Sequence, residues 1–345
     1  MNLQFNKNFD NLLKNIIVQA KKSNQQTILV INTKKQKSRT TPILLPTRKT
    51  PFLICLGITI FEKKSVINIL KKIDGKIDYV LVDVEQKNKK LSNLIKTIQK
   101  NILKSKILTY KSNDFTVESA DAFLQQLIDF SKKQKIVIVG AGNIGSKLAL
   151  KIAERGFDIF ISKKKYSDSL KIANALNLIK PKACTAKIIA KSNKNIAENC
   201  DLLISFSNIP AIDKKIVSQM LDDGIIIDGG IGTIQADAVK LAHDKNIRII
   251  RLDVRAGFSG TLTTLFDTKD LLEKTIGSKK IKNFQVIAGG FYGKLGDVVL
   301  DSISSPTEII GIADGKGGLL RKNYSSIDKK KIQITNTWIK KKINL

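Results

Sequence analysis

The chain has 345 residues, an apolar fraction of 42 % and a formal net charge of +30 at pH 7. The apolar fraction suffices for a buried core, and the length suits about two or three domains. No apolar run approaches the ~20 residues that span a bilayer, and the N-terminus lacks the features of a signal peptide. We therefore expect a cytoplasmic protein that binds no membrane.

The charge comes mostly from Lys residues spread from end to end. Proteins that read nucleic acid usually rely on Arg at base edges and on aromatic stacking, so we expect no specific nucleic-acid partner. The three cysteines and the single histidine do not follow the spacing of a metal site or a disulfide framework. No metal is expected.

Residues 1–131 alternate helical and strand-like segments, which indicates an N-terminal α/β domain with a largely parallel sheet. Helices are predicted at 11–22, 65–73, 90–103 and 117–130, and strands at 26–32, 53–60, 78–84 and 107–110.

Two candidate catalytic residues lie in this first region. Lys49 belongs to a basic loop, residues 47–50, that could bind a carboxylate or phosphate or could simply be solvated. Asp83 ends a buried strand, where an acid can face an interdomain cleft or cap a helix.

Residues 132–254 repeat the strand–helix pattern with short connections, as a doubly wound parallel sheet requires. Strands are predicted at 135–139, 157–161, 202–206, 224–228 and 247–253. Helices are predicted at 146–155, 168–176 and 213–221, and no element is assigned to 180–199.

A Gly-x-Gly-x-x-Gly motif directly follows the first of these strands and opens a helix. Gly140 permits the tight turn, Gly142 lets a pyrophosphate approach the backbone, and Gly145 lets the helix pack close to the strand. The N–H groups of the helix start, at Asn143 and Ile144, then face the phosphates. The motif predicts a dinucleotide site, although a glycine-rich turn without a ligand would look similar.

The second Rossmann strand ends in Lys163, Lys164 and Lys165, where an NAD site usually carries an acid for the ribose. This pattern favours NADP over NAD, unless the lysines are only a solvated run. Two further strand ends should line the cofactor crevice. Their candidate residues are Ser205, Ser207, Asp228 and Gly229.

Residues 255–345 begin with Arg255, a candidate for binding a substrate carboxylate. A helix is predicted at 268–276, strand-like runs at 284–287, 298–303 and 308–313, and a Lys-rich tail follows. We expect this C-terminal region to pack back on the N-terminal domain.

Residues 135–234 resemble the Rossmann domain of the shikimate dehydrogenase and methylenetetrahydrofolate dehydrogenase group. The resemblance rests on the glycine motif, on the segment 162–176 and on the late strands at 200–205 and 220–231. It implies a catalytic α/β domain before the Rossmann domain. Shikimate dehydrogenases carry an Asn-Thr-Asp motif just before that domain, and this chain has Asn113-Asp114 there, without the Thr. Asp114 is therefore a candidate by position, and no match to the families' lysine motif is found.

These observations predict an α/β protein with a doubly wound parallel Rossmann sheet, an N-terminal α/β domain and a C-terminal extension. The predicted reaction is hydride transfer between NADP, or NAD, and a small polar carbonyl, alcohol or imine, and a homodimer is compatible with it. A non-catalytic dinucleotide-sensing module is the alternative, and a polyanion-binding protein is a third reading.

Overall fold

The computed structural model describes residues 3–34, 41–85, 87, 89–129, 131–321 and 324–343, and divides into two compact units, Met1–Ser259 and Gly260–Leu345. The division falls inside one helix, slightly after the predicted boundary between residues 254 and 255. How the C-terminal region packs stays a prediction.

The first unit begins with a five-stranded sheet of order β2-β3-β1-β4-β5, in which β2 is antiparallel and the other pairs are parallel. Its core is formed by β3, which is buried along its whole length, and by the apolar faces of the helices. The elements are α1 Leu3–Ser23, β1 Gln26–Thr33, β2 Ile43–Lys49, β3 Leu53–Ile60, α2 Lys63–Ile73, β4 Tyr79–Asp83, α3 Leu94–Asn101 and β5 Lys106–Tyr110.

The sequence analysis predicts a basic loop at residues 47–50, but most of this segment is part of strand β2. Arg48 and Lys49 belong to edge strand β2 and pair with Cys55 and Ile54 of β3. A register shift between Leu45 and Arg48 accompanies this pairing. Pro46 lies at this irregularity, where an edge strand tolerates proline.

The second sheet has six parallel strands in the order β11-β10-β9-β6-β7-β8, which confirms the doubly wound Rossmann prediction. Short β8 occupies the stretch to which no element was assigned, and the helix predicted at 213–221 ends early because β10 begins at Met220. The elements are β6 Ile136–Val139, α5 Asn143–Glu154, β7 Ile159–Ser162, α6 Tyr166–Ile179, β8 Ile188–Ala190, β9 Cys200–Ser205, α7 Lys214–Ser218, β10 Met220–Asp228, α8 Ala236–Asp244 and β11 Arg248–Arg251.

Helix α4, Ser112–Leu127, connects the two sheets and begins earlier than the predicted residue 117. Its first N–H groups are satisfied by carboxylates from the end of β4. The N–H of Asn113 donates to Glu85 at 3.0 Å, and the N–H of Ser112 donates to Asp83 at 3.4 Å. Acceptors that cap a helix from a distant segment leave no local sequence signal, because the usual N-cap residue is adjacent in the chain.

Helix α4 is joined to α5 by ion pairs between acids on α4 and bases on α5. Lys147 contacts Asp114 at 2.5 Å, and Lys151 contacts both Glu118 and Asp121. Arg155 binds Asp121 with both terminal nitrogens. These pairs fix the helix from the N-terminal sheet against the first helix of the Rossmann sheet.

The second unit contains a four-stranded sheet of order β12-β13-β14-β15. Helix α10 supplies Ile339 to its core, with Trp338 packed beside it. This helix forms the tail that the sequence analysis describes only as Lys-rich, and β12 is not among the predicted strands. The elements are α9 Arg255–Asp270, which starts in the first unit and ends in one π-type turn at Leu271–Thr275, then β12 Gly277–Ile281, β13 Phe284–Ala288, β14 Val298–Leu300, β15 Ile309–Ile312 and α10 Ser326–Ile343.

Asp121→Ala should lower the free energy of unfolding by about 1–3 kcal/mol, because a nearly buried carboxylate that accepts charged hydrogen bonds is removed. Its side chain is only 6 % exposed. Glu118→Ala is the matched control: its side chain is 50 % exposed, and an exposed pair contributes less than about 1 kcal/mol. Denaturant unfolding of both variants checks this, and equal losses would contradict it.

Candidate functional site

The glycine loop between β6 and α5 is shaped by Gly140 and Gly145. Gly140 has φ of +93°, and a Cβ there would lie 2.9 Å from the backbone of Phe206 and Ser207. A Cβ on Gly145 would lie 2.6 Å from the carbonyl oxygen of Gly140 and 3.1 Å from Ile138 Cγ2. Both glycines are therefore required by the packing of the protein itself.

Gly142 differs from these two glycines, because nothing in the protein requires it. A Cβ there would meet only the Gly140 carbonyl oxygen, at 4.0 Å, and φ is −85°. Gly142 precedes α5 and gives the helix no side-chain cap, so the first N–H groups of the helix, from Asn143 and Ile144 onward, are not capped by a side chain. This open cradle fits a pyrophosphate.

Two buried hydroxyls lie at strand ends on either side of the loop. Ser162 and Ser205 both pair with Val139 in register, so the three side chains share one face of the sheet. Neither hydroxyl has a hydrogen-bond partner in the described structure. Buried polar groups are almost always satisfied, so the two hydroxyls leave unused hydrogen-bonding capacity beside the cradle.

The other predicted strand-end residues shape their own loops. Asp228 accepts hydrogen bonds from the N–H groups of Gly230 and Gly232 at 3.2 and 2.7 Å and from the Thr233 hydroxyl at 3.0 Å. Ser207 accepts from the Ile209 N–H at 3.2 Å. A Cβ on Gly229 would lie 2.4 Å from the Phe206 ring. These contacts hold the two loops that follow β9 and β10.

The lysines after β7 lie at the start of α6. Lys164 and Lys165 are exposed, Lys163 is half-buried, and no carboxylate in the described structure forms an ion pair with any of them. The N–H of Lys163 donates to Ser169 Oγ at 2.8 Å, which fixes the turn into α6. Unpaired positive charge at this strand end suits a 2′-phosphate.

A cavity of about 120 Å³ lies beside the carboxyl end of β1. This volume exceeds the space of a single water several-fold, so a small organic molecule fits. Its apolar wall is formed by Val30, Leu45, Pro46, Phe115, Val254 and Phe258. Its remaining lining residues are Asn32, Arg48, Cys55, Gly57, Ser112 and Thr116.

The cavity and the glycine loop share helix α4. Ser112, the first residue of the helix, lines the cavity. The next residue, Asn113, donates from Nδ2 to Oδ1 of Asn143 at 3.3 Å. Asn143 is the residue that follows Gly142 and opens α5. The start of α4 therefore joins the cavity wall to the predicted cofactor loop.

A polar network supports Ser112 from behind. Its hydroxyl donates to Asp83 Oδ2 at 2.9 Å and accepts from the Lys87 ammonium group. The Asp83 side chain is fully buried and also accepts from the Thr33 hydroxyl at 2.8 Å. Lys87 contacts Asp83 and Glu85 at 3.2 and 2.8 Å. Lys87 and Asp83 thus form a Lys–Asp pair that contacts the cavity-lining Ser112, and the sequence analysis does not identify this pair.

The predicted catalytic residues do not converge on the cavity. Asp83 reaches it only through Ser112. Lys49 is exposed on β2, whereas its neighbour Arg48 lines the cavity. Asp114 is held between Lys111 and Lys147 at 2.6 and 2.5 Å.

Arg255, the residue predicted to bind a substrate carboxylate, forms an ion pair with a neighbouring acid of the same chain. Its side chain is 78 % exposed and contacts Asp253 at 2.5 Å. The hydrogen bonds and charge of Arg255 lower the pKa of the Asp253 carboxyl below its ordinary value.

The surroundings shift the pKa values of three ionisable groups in this region. Burial raises the pKa of the Cys55 thiol to about 12, so it is neutral. Burial also raises the pKa of Tyr110, whose hydroxyl contacts Asn32. At Asp114, partial burial opposes ionisation, but hydrogen bonds from Lys111 and Lys147 outweigh it and lower the pKa.

The model of a family described as "NADP oxidoreductase coenzyme F420-dependent" matches residues 135–231. No curated protein matches the sequence. The match coincides with the Rossmann domain, from β6 to the loop after β10.

Several solved structures match at low similarity. A shikimate dehydrogenase in complex with NADP+ is 16 % identical, with a TM-score of 0.38 and coverage of 66 % of this chain and 85 % of that one. Quinate dehydrogenase from Corynebacterium glutamicum, in complex with NAD, is 14 % identical. Its TM-score is 0.40, and the match covers 72 % of this chain and 94 % of that one. Anabolic ornithine carbamoyltransferase from Campylobacter jejuni is 15 % identical. Its TM-score is 0.41, and the match covers 74 % of this chain and 94 % of that one. At these scores the matches carry no argument about function.

The glycine loop and the family match together define the class: residues 135–231 belong to an NAD(P)-binding Rossmann domain. The match supports an oxidoreductase in general terms. Among the described residues, no helix is long and apolar enough to cross a membrane, and no cluster of side chains could hold a metal ion.

Gly142→Val should abolish NADPH binding and leave the free energy of unfolding unchanged, because the added side chain fills the cradle without touching the protein. Gly145→Ala is the control with the opposite expectation. Its Cβ overpacks the loop, and a loss of about 1–3 kcal/mol follows. Calorimetric titration and denaturant unfolding measure the two effects. Undiminished NADPH affinity in Gly142→Val would mean that the motif is only a turn.

Proposed function

We propose that the protein transfers hydride between NADP and a small polar carbonyl, alcohol or imine bound in the cavity. The observation that carries this proposal is the contact between Asn113 and Asn143. It connects the start of α4, which also lines the cavity, to the glycine loop, and a reaction between a dinucleotide and a small molecule needs the two to be close.

The residues that would hold the cofactor are on the first Rossmann strands and helices. Gly142 leaves room for the pyrophosphate, and the start of α5 offers N–H donors to it. Lys163 and Lys164 would neutralise a 2′-phosphate, while Ser205 has a hydroxyl free to bind. When bound, the nicotinamide supplies or accepts the hydride.

The proton would be handled by Ser112. Its hydroxyl lies on the cavity wall, within one hydrogen bond of both Lys87 and Asp83. In the reducing direction the Ser112 hydroxyl would turn from Asp83 to the substrate, give its proton to the substrate oxygen or nitrogen and take one from the Lys87 ammonium. Lys87 is partly exposed and recovers a proton from solvent. Asp83 orients the hydroxyl and compensates the charge of Lys87.

NADP should bind more tightly than NAD, and the difference should shrink as salt rises, because the preference rests on exposed lysine charge. Lys164→Gln should reduce the preference, whereas Lys171→Gln, a lysine further along α6, should not. Calorimetric titrations of NADPH and NADH at low and high salt provide the measurement. Equal affinities of the wild-type protein at low salt would refute the NADP assignment.

Ser112→Ala should lower turnover by about 10²–10⁴-fold, the usual contribution of a proton-transfer group, with little change in NADPH affinity. Asp114→Asn should instead leave turnover nearly unchanged and cost about 1 kcal/mol of stability, because Asp114 is held in partly exposed ion pairs. NADPH consumption with the most active member of a panel of small carbonyl compounds is the assay.

If Asp114→Asn lowers turnover more than Ser112→Ala does, Asp114 has the catalytic role that its sequence position suggests. NADPH binding without turnover of any compound in the panel would favour the dinucleotide-sensing alternative.

A further inference from the structure

Arg48 is an unpaired cation in the wall of an otherwise uncharged cavity. The lining residues include no carboxylate, and their polar side chains other than Arg48 are neutral. The Asp253 carboxyl is bound by Arg255, whose hydrogen bonds lower its pKa, and the charge of Arg48 adds a smaller effect in the same direction. No carboxylate in the described structure lies within ion-pair distance of Arg48. The carboxylates nearest this site form their ion pairs with Lys87 and Arg255.

Two other partly buried cations of the same unit are neutralised by buried carboxylates. Lys87 contacts Asp83, and Arg155 contacts Asp121. Leaving a partly buried charge unpaired is costly, so an unpaired arginine beside a cavity indicates an anion that is supplied from outside.

The position of the guanidinium is defined by an aromatic ring. The Arg48 Cζ lies 5.0 Å from the centroid of the Phe258 ring. Phe258 meets Phe115 edge-on at 5.3 Å, and Phe115 stacks on Tyr110 at 4.6 Å. Stacking over a ring leaves the edge of a guanidinium free to donate two parallel hydrogen bonds. The ring contact therefore holds the cation at the cavity, which Arg48 and Phe258 both line.

We propose that Arg48 anchors the carboxylate of the substrate, and that the substrate is a small monocarboxylic acid with a short apolar body. The aliphatic and aromatic lining residues suit that body, and Ser112 lines the same cavity for contact with the group that reacts. A single cation matches one negative charge, so a phosphate dianion would leave charge uncompensated. The assignment of the carboxylate to a substrate rests on the proposed function.

Binding of 2-oxobutanoate, with its neutral amide as the comparison, tests this proposal in moderate salt and without cofactor. Isothermal calorimetry should show saturable binding of the acid, and at least about tenfold weaker binding of the amide. Arg48→Gln should weaken binding of the acid by about 10- to 100-fold, and Arg48→Lys should weaken it less, because charge is kept while the planar fork is lost.

The matched control is Arg248→Gln, which removes the same charge from an exposed position on β11. It should leave binding unchanged. Equal losses in Arg48→Gln and Arg248→Gln, equal affinity for acid and amide, equally tight binding of inorganic phosphate, or no saturable binding would each overturn the proposal.

NADPH titration of the same proteins separates this proposal from the proposed function. Arg48→Gln should keep full NADPH affinity. If the wild-type protein binds the acid through Arg48 but binds no dinucleotide, the oxidoreductase proposal fails and the carboxylate site stands.

Discussion

The ion pairs between α4 and α5 are the interaction on which the geometry of the site depends. Asp121 is nearly buried and is bound by both terminal nitrogens of Arg155, and two further acids on α4 face lysines on α5. Helix α4 carries the cavity wall and α5 carries the glycine loop. Because these ion pairs fix the two helices to each other, the fold sets the distance from the cavity to the glycine loop.

The carboxylates at the end of β4 add a second constraint. Asp83 and Glu85 satisfy the first N–H groups of α4, so the helix begins at Ser112 rather than further along the chain. This early start is what brings Ser112 to the cavity and Asn113 to the glycine loop. Asp83 therefore acts on the site through the position of another element, which differs from the direct catalytic role predicted for it.

The parts of the structure that could be predicted from the sequence are those with a local signal. Apolar strands such as Leu53–Ile60, and the glycine motif between a strand and a helix, were identified with correct boundaries or nearly so. The start of α4 and the pairing of Arg48 in an edge strand depend on residues far away in the chain. Likewise, Lys87 meets Asp83 and Ser112 only after folding, so no spacing rule could select it. The candidates Lys49, Asp114 and Arg255 contact solvent or a neighbouring charge.

The glycine loop has its final shape before any ligand arrives. The N–H groups of Gly140 and Ala141 donate to the Ser162 carbonyl, and that of Gly142 donates to the Gly140 carbonyl. A loop that is already ordered loses little conformational entropy when it closes on a ligand. The backbone of this loop is therefore expected to add little ordering penalty to the binding of a dinucleotide.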